Sequence, residues 1–217
     1  MSQICKQLIV MSLVLSVNAQ AGPEDFNSIN GGELHILTTL PDKAIPLHNK
    51  TLRLSVDSLN TLWVHNSQCL ANMDWWGDAV QIVFGKGKVR ALNITHSVNI
   101  GKSWVEENTV QLEGIAEKAV LCLTSENLIL HHDKAADSYT LTVGPFLFRL
   151  FDGFFPMTVA MRIDYPKDLL VLEDISPAAA PGIDIIDEPG QIHFRTSFEG
   201  VLWVKFHFRR AGPSIGW

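Results

Sequence analysis

The groups in this chain that could bind a metal or move protons are eight histidines, three cysteines and a set of scattered carboxylates. His131-His132-Asp133 places two imidazoles and a carboxylate side by side, which are ligand types that suit Zn or Cu. On a strand, however, neighbouring side chains point to opposite faces, so the trio does not close on one ion locally. His193 and His207 are a second candidate pair for a metal, brought together if the strands that carry them form a hairpin. Arg195 and Lys205 would then flank the pair and oppose a cation. His96 shares parity with Leu92, Ile94 and Val98 and is expected among them in the core.

Acid–base hydrolysis of glycans needs two carboxyl groups that converge. The candidates are Asp74, Asp78, Glu106, Glu107, Asp152 and Asp184. Glu106 and Glu107 diverge if they sit on a strand. The chain has no G-x-S-x-G elbow, H-E-x-x-H, phosphate-binding glycine loop or dinucleotide fingerprint. No catalytic residue and no cofactor is therefore assigned, which turns attention to binding.

Two aromatic runs suit binding. Trp75-Trp76-Gly77 follows Cys69, and adjacent tryptophans either form a stacking platform for sugars or plug the end of a sandwich. Between Phe146 and Phe155 stand five Phe and two Leu in ten residues. One face of this run, Phe146 and Phe148, is expected in the core with Met157 and Val159. The other, Leu147, Phe151 and Phe154, needs either a covering strand layer or a binding partner.

The first 21 residues read as a secretory leader, which sets the compartment. Lys6 supplies positive charge, Leu8 to Val17 is an apolar core, and Ala19-Gln20-Ala21 is an A-x-A cleavage site. The apolar run is shorter than the roughly 20 residues needed to span a bilayer, and no membrane span is expected after cleavage. A mature chain from Gly22 keeps 16 basic against 23 acidic residues, a net charge of −7. That charge argues against nucleic acid as partner. Cleavage also leaves two cysteines, Cys69 and Cys122. In an oxidising compartment the simplest outcome is that they form a disulfide with each other.

These groups must be held by strands. Apolar residues alternate with polar ones over 51–57, 138–143 and 157–165, the period of a half-buried strand. Further strands are expected at 33–40, 61–65, 79–84, 88–95, 103–112, 118–123, 127–132, 183–187, 191–198 and 201–209. Residues 22–32 read as a flexible linker and 33–217 as a single β-rich domain, with a subdivision near 135 as the alternative. Helical segments are expected only around 66–76 and 112–119, and 176–182 reads as a crossover loop.

Two hairpins can be put in register. A two-residue Asp152-Gly153 turn pairs Phe151 with Phe154 and sets Phe148 opposite Met157 and Phe146 opposite Val159. A bulge is expected at Gly144-Pro145. A three-residue loop at 199–201 sets Phe194 beside Phe206, with Ser197/Trp203, Arg195/Lys205 and His193/His207 on the opposite face.

The expected fold is an all-β, mainly antiparallel β-sandwich, immunoglobulin-like or with a barrel-like extension. The expected function is a non-enzymatic, exported binding or assembly module whose partner is another exported protein or a glycan. The alternatives are a periplasmic metal-binding protein and a hydrolase acting on glycans.

Overall fold

The structure is a computed structural model that describes residues 31–73, 79–150 and 153–211. In chain order the strands are β1 (His35–Ile36), β2 (Leu47–Arg53), β3 (Trp63–Ala71), β4 (Ala79–Val83), β5 (Val89–Glu106), β6 (Thr109–Leu128), β7 (Leu130–Asp133), β8 (Ser138–Phe146), β9 (Arg149–Leu150), β10 (Gly153–Phe154), β11 (Met157–Asp164), β12 (Leu170–Ser176), β13 (Ile183–Glu188), β14 (Gln191–Glu199) and β15 (Leu202–Arg210). A nine-stranded sheet runs β1-β14-β11-β2-β3-β6-β4, with β13 on β14 and β5 on β6. A four-stranded sheet runs β12-β15-β8-β7, and β9 and β10 form a small ribbon. All pairings are antiparallel except β11 on β2. The fold is the expected mainly antiparallel β-sandwich.

Period-two patterning builds the core between the sheets. Val159, Met161 and Ile163 of β11 and Ile192, Phe194 and Phe198 of β14 face Leu141 and Val143 of β8 and Val204, Phe206 and Phe208 of β15, all buried. A second, smaller cluster holds Leu70, Met73, Val110, Leu112, Ala119, Leu121 and Leu123 around the β3–β6 pair and the far half of β6.

That second cluster rests on a long, bent ribbon of β5 and β6. The strands run 18 and 20 residues, and the β5 register shifts three times. This is where the sequence reading divides one strand into several. The 103–112 segment turns back at Glu107-Asn108, with Glu107 at φ +52°. The bulge between Ile94 and His96 reverses parity, so His96 is exposed and not in the core.

Among the described residues the expected helices at 66–76 and 112–119 are not formed: residues 66–71 belong to β3 and 112–119 to β6, and 74–76 lie outside the described residues. Flanking strands pair with both, and a ladder with full hydrogen bonding outcompetes a weak helical period. The helix among the described residues is instead α1 (Val56–Thr61), in a segment expected to be extended. Ser55 caps it, accepting from the Ser58 amide while Ser58 Oγ accepts from the Ser55 amide. That reciprocal cap is a helix start signal that alternation in 51–57 concealed.

Both hairpins are corrected. β14 and β15 are successive in sequence but lie in different sheets: β14 pairs with β11 and β13, and β15 with β12 and β8. Phe194 and Phe206 meet edge to face across the sandwich, ring centroids 6.5 Å apart. The alternation that suggested a hairpin is equally satisfied by strands facing each other across a core. Gly200 (φ +93°) makes the corner, where a Cβ would fall 1.9 Å from the Glu33 carbonyl oxygen. In the other case Leu150 pairs with Gly153 and Arg149 with Phe154, so Phe154 does not pair with Phe151; Phe151 and Asp152 themselves lie outside the described residues. Phe146 and Met157 join different sheets, opposite Leu202 and Phe198. The bulge at Gly144 is present, as a register shift opposite Leu202 and Val204 with φ +130°. Residues 176–182 carry the chain from the four-stranded to the nine-stranded sheet.

Candidate functional site

The outer face of the nine-stranded sheet is where polar side chains gather. Strand registers align Asp184, Arg195, Ala160, Asn49 and Cys69 in one row across it. Ile186, His193, Arg162, Thr51 and Ser67 form the next row, and Glu188, Gln191, Asp164, Arg53 and His65 the third. Ala160 is the smallest side chain of its row and leaves a depression between Arg195 and Asn49. A groove of about 900 Å³ lies over these strands. A neighbouring cavity of about 360 Å³, walled by Leu37, Thr38 and Leu40, shares Asp184 and Arg195 with it.

One side of the groove is fixed by hydrogen bonds. Asp164 accepts from Arg162 Nε at 2.8 Å and Gln191 Nε2 at 3.2 Å, and Arg53 Nε lies 3.5 Å from its other oxygen. His193 Nε2 lies 2.7 Å from Gln191 Oε1. Arg195 and Asp184, directly opposite each other, are different. Among the described residues neither head group takes part in an ion pair or a side-chain hydrogen bond. The groove thus presents uncommitted donors and acceptors in a fixed frame.

Its carboxylates lie apart along the strands. Asp184 and Glu188 share a strand four residues apart, about 13 Å along the backbone. Asp164 is already engaged by two arginines.

The candidate histidines do not converge. His193 is on the outer face of the nine-stranded sheet. His207 is on the outer face of the other sheet, with Nδ1 3.1 Å from Thr140 Oγ1. His131 is exposed, and His132 stacks on Tyr139 at 4.3 Å with Nε2 3.3 Å from Asp137. Among the described residues no three His, Cys, Asp or Glu side chains are grouped to hold a metal.

Cys69 and Cys122 are bonded, directly opposite each other on β3 and β6. The bridge lies on the outer face, continuing the Ala160–Asn49 row, and not in the core.

Of the aromatic candidates, Trp75, Trp76 and Phe151 lie outside the described residues, as do Asp74, Asp78 and Asp152. Leu147 is 40 % exposed. Phe154 is half-buried, with the Arg149 guanidinium 5.5 Å from its ring centroid. The structure adds Trp203, 48 % exposed, whose ring lies over the Gly144 bulge. Trp203, exposed Pro145 and Leu147 make an apolar strip at this end of the four-stranded sheet's outer face, while Phe154 belongs to the separate β9–β10 ribbon. Sequence parity placed Trp203 on an outward face, but opposite Ser197. Its nearness to Pro145 depends on the β8–β15 pairing. Arg195 and Ala160 likewise gain meaning only from their neighbours on β13 and β2.

No family model and no curated relative matches the chain. Solved structures that resemble it include an acetylcholine-binding protein of Bulinus truncatus, at 8 % identity over 79 % of this chain and 91 % of that one, with a TM-score of 0.24. Another is the type 1 acetylcholine-binding protein of Biomphalaria glabrata, at 11 % identity over 86 % and 94 %, TM-score 0.23. Likeness at this level transfers neither site nor ligand. No helix among the described residues is long and apolar enough to cross a membrane.

Proposed function

We propose that this chain is an exported, non-enzymatic binding module that holds a glycan in the groove over β13, β14, β11 and β2. The observation that carries this reading is the uncommitted Arg195–Asp184 pair beside the Ala160 depression. A guanidinium and a carboxylate carried on directly opposite strand positions offer planar donors and acceptors suited to neighbouring sugar hydroxyls. Asn49 and Thr51 add neutral partners, and Ile186, 58 % exposed, offers an apolar edge for a ring face. Export is supported by the leader and by the disulfide.

The test is a screen of the purified mature chain against immobilised glycans, followed by calorimetry. Arg195→Ala should weaken a captured glycan at least tenfold, as expected for hydrogen bonds to a charged group of about 1.5–3 kcal/mol. A ligand that binds Arg195→Ala and Asp184→Asn as well as the native chain would remove the groove from consideration.

A second reading, docking of another exported protein, rests on the exposed strip of Leu147, Pro145 and Trp203. Apolar side chains clustered on an otherwise solvated sheet face mark protein contact sites.

A further inference from the structure

The inner face of the same strands carries a feature that neither reading uses. Inner residues align in rows, and each row changes character between β2 and β6. One row runs Met161, Lys50, Gln68, Leu123; a second Val159, His48, Leu70, Leu121; a third Ile163, Leu52, Asn66, Ser125. Met161, Val159 and Ile163 belong to the larger apolar cluster, and Leu70, Leu121 and Leu123 to the smaller. Between the clusters runs a polar seam: His48, Lys50, Gln68, Asn66 and Ser125.

The seam is incompletely satisfied. Lys50 Nζ donates to Gln68 Oε1 at 2.8 Å, and His48 Nε2 is 3.2 Å from the same oxygen. Asn66 Nδ2 donates to Ser125 Oγ at 3.0 Å, which donates on to Asn127. Asn66 is fully buried, yet its Oδ1 has no partner among the described residues. No carboxylate lies within ion-pair distance of Lys50 among them. A cation partly withdrawn from water gains from a negatively charged partner, and Lys50 has only the neutral Gln68 oxygen. Burial lowers Lys50 to about 8, and burial, aided by Lys50, lowers His48 to about 3, leaving the imidazole neutral. Lys50 and His48 are half-buried, so the seam is open to solvent at this end.

The geometry points to the seam as a binding site for a small carboxylate-bearing molecule, with its carboxylate on Lys50 and the Gln68 amide and a hydroxyl donated to Asn66 Oδ1. A single negative charge matches the single unpaired cation. A doubly charged phosphate would leave negative charge buried without a partner. Gln68 and Asn66 are two residues apart on one strand face, about 7 Å, which sets the spacing between carboxylate and hydroxyl. A linear ω-hydroxy acid of about four carbons spans that gap.

The experiment titrates the mature, disulfide-bonded chain with butyrate, 4-hydroxybutyrate and inorganic phosphate at fixed ionic strength. Binding is followed by NMR on the Gln68 and Asn66 side-chain amides. Saturable shifts are expected for both organic acids, with the hydroxy acid several-fold tighter. Lys50→Met should weaken both at least tenfold, and Lys50→Gln serves if the methionine variant misfolds. Asn66→Ala should abolish the advantage of the hydroxyl while leaving butyrate affinity within about twofold. Arg195→Ala, on the other face, should change nothing here, which separates this site from the glycan groove. Absence of saturation, unchanged affinity in both Lys50 variants, or phosphate binding as tightly as butyrate through Lys50 would each overturn the assignment.

Discussion

The two outer faces of the sandwich are built from the same alternating strands but differ in what they gather at one place. The nine-stranded sheet presents rows of Asp, Arg, His, Asn and Thr over a groove. The four-stranded sheet presents Trp203 beside Pro145 and Leu147. One sheet is wide enough that its middle strands are flanked on both sides, so a depression forms where a small residue such as Ala160 falls. On the other sheet the middle strand β15 is flanked as well, but Trp203 fills the outward position over Gly144 and leaves no depression there. The difference teaches that one sandwich can carry a polar concavity on one outer face and exposed apolar side chains on the other without either disturbing the shared core.

The strongest way to sharpen that contrast is to alter neighbours on one strand. Phe194 and Arg195 are adjacent on β14 and point to opposite sides of the sheet. Phe194→Ala should destabilise the fold by about 3–5 kcal/mol through the cavity left against Phe206. Arg195→Ala should stay within about 0.5 kcal/mol. Urea denaturation of both variants checks the pair, and a large loss in the arginine variant would mean that the groove is part of the structural frame.

The next effect concerns the disulfide, which ties β3 to β6 on the polar face. Replacing both Cys69 and Cys122 with Ser should lower stability by about 2–4 kcal/mol, read from denaturation midpoints under oxidising conditions. A change below about 0.5 kcal/mol would show that the ladder alone fixes this face.

A third test uses pH. The folded value of His48, about 3, lies below its ordinary value of 6.5. Below pH 6.5 the unfolded chain therefore takes up a proton that the folded chain refuses. Stability contributed by neutral His48 is fully present above 6.5 and declines as pH falls from about 6.5 toward 3. His48→Gln should flatten thermal midpoints over that window relative to the native chain. An identical slope in both proteins would place the acid sensitivity elsewhere.

A small stability effect is also expected on the apolar strip. Leu147→Ser combined with Trp203→Ser should change unfolding free energy by about 1 kcal/mol or less, because both side chains are already largely solvated. The same variant should lose capture of any protein partner while glycan binding is retained. Loss of both activities would collapse the distinction between the two faces.

Much of the chain was legible because burial imposes a period of two. Leu141, Val143, Met157, Val159, Phe194 and Phe206 could be placed in the core from alternation alone, and all are buried. Pairing Cys69 with Cys122 followed from counting cysteines after the leader. The candidate site was much less legible. Of the residues singled out for binding or metal, His193 lies in the groove and Leu147 on the strip, while Arg195, Asp184, Ala160 and Trp203 acquired a role only from their neighbours in space.

The sequence by itself determined which side of the regular strands carrying Leu141, Met157, Phe194 and Phe206 faces inward, since local alternation sets it wherever no bulge, such as the one before His96, reverses the parity. It also determined that a turn or bulge falls at Gly144 and Gly200, where a side chain would strike backbone. Only the tertiary structure decided which strands pair. Alternation is the same whether two strands share a ladder, as a hairpin, or face each other across a core, so β14 and β15 could be read either way. Their other hydrogen-bonding partners, β11 and β13 for one and β8 and β12 for the other, made the choice. That choice separated His193 from His207, set Arg195 opposite Asp184, and left Lys50 between two cores.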